Sequence, residues 1–283
     1  MKKSFLLYLL SGIACQFVLA QTNPAGNVHY GDNKEAGKYY DIRGFKMYCE
    51  IYGEGQPLLI IHGNGGSISN FEENIPYFAK RYKVIIADSR SQGKSADPGD
   101  SLTYEMMADD YAALLTKLQI DSANVIGWSD GGINGLLLAI RHPEKVKKLA
   151  ITGANLEPDT NAVFREVWDI VDPVYKRLRD KTNKTAGEKS QWKLMRLLVE
   201  QPHIPVAALG KISCPALVIG GDHDVIREEH TMLIYHSIPK SYLWILPDSG
   251  HSTPIVYKDA FNTTVDAFFQ KPYRLIKGTG RFN

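Results

Sequence analysis

A serine between two glycines, placed where an apolar run passes into a helical pattern, most constrains the fold of this chain. The five residues are Gly127-Trp128-Ser129-Asp130-Gly131. Residues 122–127 contain a short apolar run typical of a buried strand, and residues 132–142 have the spacing of a helix that ends before Pro143. A strand that turns directly into a helix is the unit of a mostly parallel sheet covered by helices. The sequence therefore predicts an α/β fold.

Six further short runs, rich in apolar residues, extend this pattern along the chain. The first alternates apolar and polar residues and predicts a half-buried antiparallel strand, whereas the others are continuous and predict buried parallel strands. Helical spacing of apolar residues appears between and after them, over residues 103–118 and 259–270. The six further predicted strands are residues 46–52, 58–62, 83–88, 146–152, 216–220 and 241–246.

Strands that alternate with helices predict a doubly wound, mostly parallel sheet with helices on both faces. The alternation breaks over about residues 155–211, which are helical, rich in charged and aromatic residues, and without a strand-like run. We interpret this stretch as a small helical cap inserted over one end of the sheet. In such a fold the binding site lies at the carboxyl ends of the strands. We therefore expect the cap to cover that site.

The start of the chain has the features of an export signal. A lysine pair precedes an apolar stretch, and Val18 and Ala20 supply the small residues of a cleavage site before Gln21. We expect residues 1–20 to be a signal peptide, so that the protein is periplasmic or secreted.

Two alternatives to a cleaved leader are open. Cys15 follows Ala14 as in a lipoprotein acceptor, although Gly12 stands where such sites usually carry a branched apolar residue. An uncleaved anchor is the other alternative, and the apolar run is short for a bilayer. Downstream of the leader we expect a polar linker over residues 21–38 and the folded domain over residues 39–283.

Charge and cysteine content limit the classes of partner that we expect for this protein. The chain has 33 basic and 31 acidic residues, and two lysines of the leader account for the excess. So balanced a charge gives no electrostatic reason to expect a nucleic acid. No histidine and cysteine cluster has metal-ligand spacing, so we expect neither a metal nor a cofactor. No stretch after the leader is typical of a membrane span.

Three residues that follow predicted strands can form a nucleophilic triad. The turn around Ser129 lifts its hydroxyl above the sheet, where the helix N-terminus favours negative charge. A serine hydroxyl needs a base to become a good nucleophile, and the base needs an acid that orients it. His251 follows the last strand, and Asp224 follows the strand before it. Asp222 is an alternative acid.

An oxyanion hole for the developing negative charge needs backbone N–H donors. The loop His62-Gly63-Asn64-Gly65-Gly66 follows the first parallel strand and can present the N–H of Asn64. The N–H of Asp130, directly after the nucleophile, is the expected second donor. We interpret His62 as structural rather than as a second base. The loop lacks the lysine and hydroxyl residue that end a phosphate-binding loop.

Together these motifs resemble the α/β-hydrolase family, over residues 37–270. The resemblance rests on the glycine loop, the Ser129 turn and three more segments, namely residues 88–95, 214–224 and 249–251. The turn itself is similar to that of valacyclovir-hydrolase-like and small esterase members. Ser91 departs from the pattern, which usually has glycine there. Ser129 argues against dehalogenase-type members, which place an aspartate at that position.

The resemblance and the residues imply hydrolysis of a carboxylic ester or a related acyl bond of a small molecule. Lactone or C–C bond hydrolysis by the same triad, and a non-catalytic binding protein on this fold, are the alternatives. Trp128 and Trp168 are the predicted substrate contacts. A further hypothesis concerns recognition of a cationic amine on the substrate. The carboxyl group of Asp130 could attract such an amine together with an acidic residue of the cap, namely Glu166, Asp169 or Asp172.

Overall fold

One eight-stranded sheet organises the protein in a computed structural model that describes residues 28–282. The order across the sheet is β1-β2-β4-β3-β5-β6-β7-β8, with β1 and β2 antiparallel to their neighbours and the other strands parallel. The predicted signal peptide lies outside the described residues. The strands are β1 Gly37–Ile42, β2 Phe45–Tyr52, β3 Gln56–Ile61, β4 Tyr82–Ala87, β5 Ala123–Trp128, β6 Val146–Thr152, β7 Ala216–Gly221 and β8 Ser241–Leu246.

Helices cover both faces of this sheet. They are α1 Ile75–Phe78, α2 Tyr104–Lys117, α3 Asp130–Arg141, α4 Arg165–Asp180, α5 Ala186–Glu200, α6 Glu228–Ser237, α7 Thr253–Val256 and α8 Lys258–Gln270. Short 3-10 helices cover Ile68–Phe71, Pro143–Lys145, Val206–Lys211 and Gly278–Phe282.

Alternation along the parallel strands divides the core between the two faces. Leu59 and Val125 pack on the side of α2, α3 and α6, whereas Leu58 and Ile126 pack on the side of α1 and α8. Successive side chains of a strand point to opposite faces, so a strand that is apolar throughout buries both. The doubly wound, mostly parallel sheet predicted from the sequence is confirmed.

The predicted strands begin and end within two residues of the observed ones, and the structure adds β1, which has no apolar run. β1 pairs with β2 from Gly37 to Ile42, so it begins inside the predicted linker. The prediction of a half-buried β2 was wrong in one respect. Met47 to Glu50 are buried on both faces of the strand, because residues 28–36 pack over one of them.

A buried carboxylate holds that N-terminal segment on the sheet. Glu50 is fully buried and accepts hydrogen bonds from the backbone N–H groups of Gly31 and Asn33 at 2.8 and 2.9 Å. The hydroxyl groups of Tyr48 and Tyr52 donate to the same carboxylate at 2.9 and 2.7 Å. Four donors satisfy a charge that would be costly to bury alone.

Helices α4 and α5 form the cap between β6 and β7. They pack against each other through Val171, Leu178 and Met195. Trp168 joins a second small cluster that includes Ile226, two residues beyond Asp224. The cap therefore rests directly on the loop that follows β7. Within the part of the chain that the structure describes, no helix is long and apolar enough to cross a bilayer.

Candidate active site

Ser129 lies in a strained turn between β5 and α3. Its φ is 58° and its ψ is −122°, a backbone conformation that residues other than glycine rarely adopt. The backbone N–H of Ser129 donates to the carbonyl oxygen of Thr152 at 2.9 Å, which ties the turn to β6. A Cβ on Gly131 would lie 2.1 Å from the carbonyl oxygen of Ile61, so only glycine lets α3 start this close to β3.

The three predicted triad residues lie within hydrogen-bond distance of one another. Nε2 of His251 is 2.9 Å from Oγ of Ser129, and Nδ1 of His251 is 2.6 Å from Oδ1 of Asp224. The same Oδ1 accepts the backbone N–H of Ile226 at 3.1 Å. Because an ionised carboxylate only accepts, Nδ1 of His251 carries the hydrogen and Nε2 is free to accept the serine proton.

The electrostatics of the imidazole suit a base. Burial disfavours the charged form of His251, but the carboxylate of Asp224 outweighs it and raises the pKa above the ordinary value for histidine. The charge of Asp130 adds to this attraction. The side chains of His251 and Asp224 are 10% and 1% exposed, so their interaction is poorly screened by water.

Gly153, directly after β6, completes the surroundings of the imidazole. Its φ is 64°, and a Cβ there would lie 2.7 Å from Cε1 and 2.9 Å from Nδ1 of His251. Sequence reasoning missed this residue, although a glycine directly after a strand at the carboxyl edge of the sheet was a usable signal. We conclude that Gly153 makes room for the ring.

Asn64 and Asp130, the predicted oxyanion-hole residues, are linked by their side chains. Nδ2 of Asn64 donates to Oδ2 of Asp130 at 2.8 Å. Within residues 28–282, neither backbone N–H of the pair donates to another group of the protein. Both N–H groups are therefore available to an oxyanion beside Ser129.

The carboxyl group of Asp130 lies in a buried, weakly polar position. Burial raises its pKa to about 6, against the opposing effect of the hydrogen bond from Asn64. Two of the acidic cap residues proposed to assist it, Asp169 and Asp172, instead pair with Arg165 and Lys176 of their own helix.

His62 occupies a buried structural position. Its Nε2 accepts the backbone N–H of Ser89 at 2.9 Å, so Nδ1 carries the hydrogen and donates to the carbonyl oxygen of Gly63 at 2.8 Å. Burial lowers the pKa of His62, which keeps the ring neutral. The ring thus joins the loops that follow β3 and β4.

The alternative acid and the predicted substrate contacts lie as follows. Asp222 accepts from His223 and from the backbone N–H of Ser249 at 3.0 Å, so it shapes the loop before His251 without contacting that ring. The indole N–H of Trp128 donates to the carbonyl oxygen of His251 at 2.7 Å. Trp168 is buried in the cap, and its indole N–H has no partner among the described residues.

Comparison with known proteins identifies the fold. Residues 56–191 match the family model described as the alpha/beta hydrolase fold. Serine hydrolase BPHL of Mus musculus is 25% identical over an alignment of 283 residues, which covers 93% of this chain and 95% of that protein. These similarities show that the chain has the α/β-hydrolase fold.

Solved structures share the fold of this α/β-hydrolase. The enol-lactonase from Burkholderia xenovorans LB400 aligns with a TM-score of 0.68 and 22% identity, covering 83% of this chain and 100% of that one. A meta-cleavage product hydrolase from Pseudomonas fluorescens IP01 aligns with a TM-score of 0.70 and 22% identity, covering 84% and 99%. The predicted resemblance, fold and broad class, a serine hydrolase of small molecules, are confirmed.

Proposed function

We propose that this α/β-hydrolase cleaves a carboxylic ester of a small molecule through an acyl-enzyme on Ser129. One observation carries the proposal, namely the continuous hydrogen-bonded path from Ser129 through His251 to Asp224, at 2.9 and 2.6 Å. A nucleophile within reach of a base, whose other nitrogen is held by an acid, is the arrangement that acyl transfer needs.

The reaction runs in two halves. Nε2 of His251 takes the proton of the serine hydroxyl as Oγ attacks the carbonyl carbon, and the carbonyl oxygen becomes an oxyanion held by the N–H groups of Asn64 and Asp130. The imidazolium then gives its proton to the leaving alcohol as the ester bond breaks. In the second half, water attacks the carbonyl carbon of the acyl-enzyme while His251 takes its proton. His251 then gives that proton to Oγ of Ser129 as the acyl bond to the enzyme breaks and the acid is released.

Asp224 and the turn supply the preorganisation for both halves. The carboxylate fixes the tautomer of His251 and stabilises the imidazolium that forms in each half. Ser129 is the N-cap residue of α3, so the partial positive charge of that helix N-terminus favours the developing oxyanion. These groups are in place before substrate arrives and need little rearrangement.

Two of the related structures favour a second candidate reaction. One is an enol-lactonase and another is a meta-cleavage product hydrolase, so lactone or C–C bond hydrolysis by the same residues is the alternative to ester cleavage. The chemistry at Ser129 is shared among these reactions, and the bond that breaks depends on the shape of the pocket under the cap.

A substrate panel tests the proposal. We expect purified wild-type protein to hydrolyse short p-nitrophenyl esters, and Ser129→Ala and His251→Ala each to lower kcat by about 10³-fold or more. Faster turnover of lactones or of vinylogous diketones than of esters would favour the second candidate. No hydrolysis of any panel member by the wild type would contradict both and leave a binding protein.

We also infer that the protein is exported. The lysine-led apolar leader and the small residues Val18 and Ala20 support cleavage before Gln21. N-terminal sequencing of the protein recovered from the periplasm or medium of a bacterial host is expected to begin at Gln21. Incorporation of a labelled fatty acid would instead identify Cys15 as a lipoprotein acceptor.

A further inference from the structure

Ser91, in the loop after β4, carries a side chain where the backbone favours glycine. Its φ is 62°, in the left-handed region where a Cβ crowds the backbone. A serine at such a position is less stable than glycine unless its hydroxyl makes contacts that offset the strain. The contacts of this hydroxyl are therefore informative.

The hydroxyl of Ser91 meets a lysine of the cap. Nζ of Lys193, on α5, donates to Oγ of Ser91 at 3.2 Å and to the carbonyl oxygen of Asp97 at 2.9 Å. Oγ of Ser91 in turn donates to Oδ2 of Asp97 at 3.3 Å, and the same Oδ2 lies 3.4 Å from the ammonium group. All three ammonium hydrogens thus have an acceptor.

This cluster is withdrawn from water. The side chains of Lys193 and Asp97 are 11% and 4% exposed, and the second carboxylate oxygen of Asp97 accepts from the guanidinium of Arg90 at 3.1 Å. A buried charge is tolerated only when its partners are held in good geometry. The cap helix is therefore fixed to the loop after β4 by a desolvated ion pair.

Residues adjacent to Ser91 and to Lys193 in the sequence contact the oxyanion loop, residues 63–66. On one side, Gln92 follows Ser91, and its Oε1 accepts the backbone N–H of Gly65 at 2.7 Å. On the other side, Leu194 follows Lys193, and its carbonyl oxygen lies 3.5 Å from Nδ2 of Asn64. The seating of α5 and the position of Asn64 are thus linked by adjacent residues.

We propose that Ser91, Asp97 and Lys193 form a latch that seats α5 against the oxyanion loop, with Ser91 and Lys193 as positioning residues for Asn64. The functional consequence rests on the proposed function, in which the N–H of Asn64 stabilises the oxyanion. Opening the latch separates the carbonyl group of Leu194 from the side-chain amide of Asn64. The backbone N–H of Asn64 is then less well oriented toward the oxyanion. Substrate binding is affected less than the chemical step, because the oxyanion exists only after attack.

Ser91→Gly separates positioning from stability. Glycine relieves the strained backbone, so we expect an unchanged or higher Tm, whereas loss of the hydroxyl lowers kcat about tenfold with KM within about twofold. A hydroxyl that served stability alone would give the opposite pattern. Lys193→Met is expected to lower kcat at least as much, and the exposed Lys189→Met on the same helix is the matched control.

Hydrogen–deuterium exchange gives a readout that does not depend on turnover. We expect faster exchange over α5 and residues 63–66 in Ser91→Gly and Lys193→Met, and wild-type exchange in Lys189→Met. Unchanged exchange in both segments, or wild-type kcat in Ser91→Gly, would overturn the latch. An inactive wild type whose Ser91→Gly variant still shows faster exchange would overturn the proposed function and leave the latch standing.

Discussion

In the proposed mechanism, the reactivity of Ser129 depends on two hydrogen bonds made by one imidazole ring. Serine hydroxyl groups are weak nucleophiles, and His251, whose Nε2 lies 2.9 Å from Oγ, is the proposed proton acceptor. Asp224 holds the opposite nitrogen at 2.6 Å in a nearly dry environment. At the residue scale, function therefore depends on how well this ring is held and on its charge.

The pH dependence of activity follows from that charge. The proposed mechanism requires the base form of His251, and Asp224 raises the pKa of the ring above its ordinary value, so we expect kcat/KM to fall as the pH drops through that raised pKa. Asp224→Asn removes the carboxylate, so the acidic limb should move to lower pH while the plateau falls. Ester hydrolysis measured from pH 4 to 9 checks this, and an unmoved limb in the variant would contradict the assignment.

Gly153 tests the space around the same ring. In Gly153→Ala the new Cβ would lie 2.7 Å from Cε1 of His251, so the imidazole must shift away from Ser129. We expect kcat to fall about tenfold to a hundredfold, as misplacement of reacting groups by about 1 Å does. Gly187→Ala, in α5 with open space around it, is the control and should keep wild-type kcat. Equal kcat in the two variants would refute the role of Gly153.

At the element scale, the sequence predicted those strands whose burial leaves a local pattern of apolar residues. Continuous apolar runs identified the parallel strands, because a strand buried on both faces has no other composition. β1 escaped prediction because its residues are mostly polar or exposed and its pairing with β2 is its main constraint. The buried position of Glu50 was also beyond local pattern, since its donors come from residues 31 and 33 as well as from its own strand.

The residues of the candidate site also divide into those that the sequence predicted and those that only the structure identified. Ser129, Asp224 and His251 each follow a strand at a recognisable spacing, so chain order was enough to select them. Gly153 and Lys193 make contacts between distant parts of the chain. The position of Gly153 directly after a strand was a usable signal, whereas no pattern in the sequence marks Lys193. Residues whose role depends on a neighbour in space rather than in sequence needed the structure.

Glu50 provides the prediction at this scale. Glu50→Gln replaces a carboxylate that accepts four hydrogen bonds with an amide that cannot accept all of them. We expect the free energy of unfolding to fall by about 1–3 kcal/mol, the cost of leaving a buried donor without its partner. Urea denaturation measures the change, with the exposed Glu54→Gln as control. Equal midpoints for both variants would show that the N-terminal segment is not held by this carboxylate.

At the scale of the whole molecule, the proposed catalytic residues and the loop that contains Ser91 and Asp97 lie at one edge of the sheet. The predicted oxyanion loop follows β3, the loop that contains Ser91 and Asp97 follows β4, Ser129 follows β5, Gly153 follows β6, and the proposed acid and base follow β7 and β8. Parallel strands end together, so residues far apart in sequence meet at their carboxyl ends. The cap rests on this edge through Trp168 and Leu194.

Site mapping with a fluorophosphonate probe tests the central claim most directly. The phosphorus of the probe takes the place of the ester carbon, so stable labelling needs an activated serine beside a base. We predict a single adduct on the peptide that contains Ser129, with labelling slowed strongly in His251→Ala and abolished in Ser129→Ala. An adduct on another residue, or an unlabelled wild type, would contradict the assignment of Ser129 as the nucleophile.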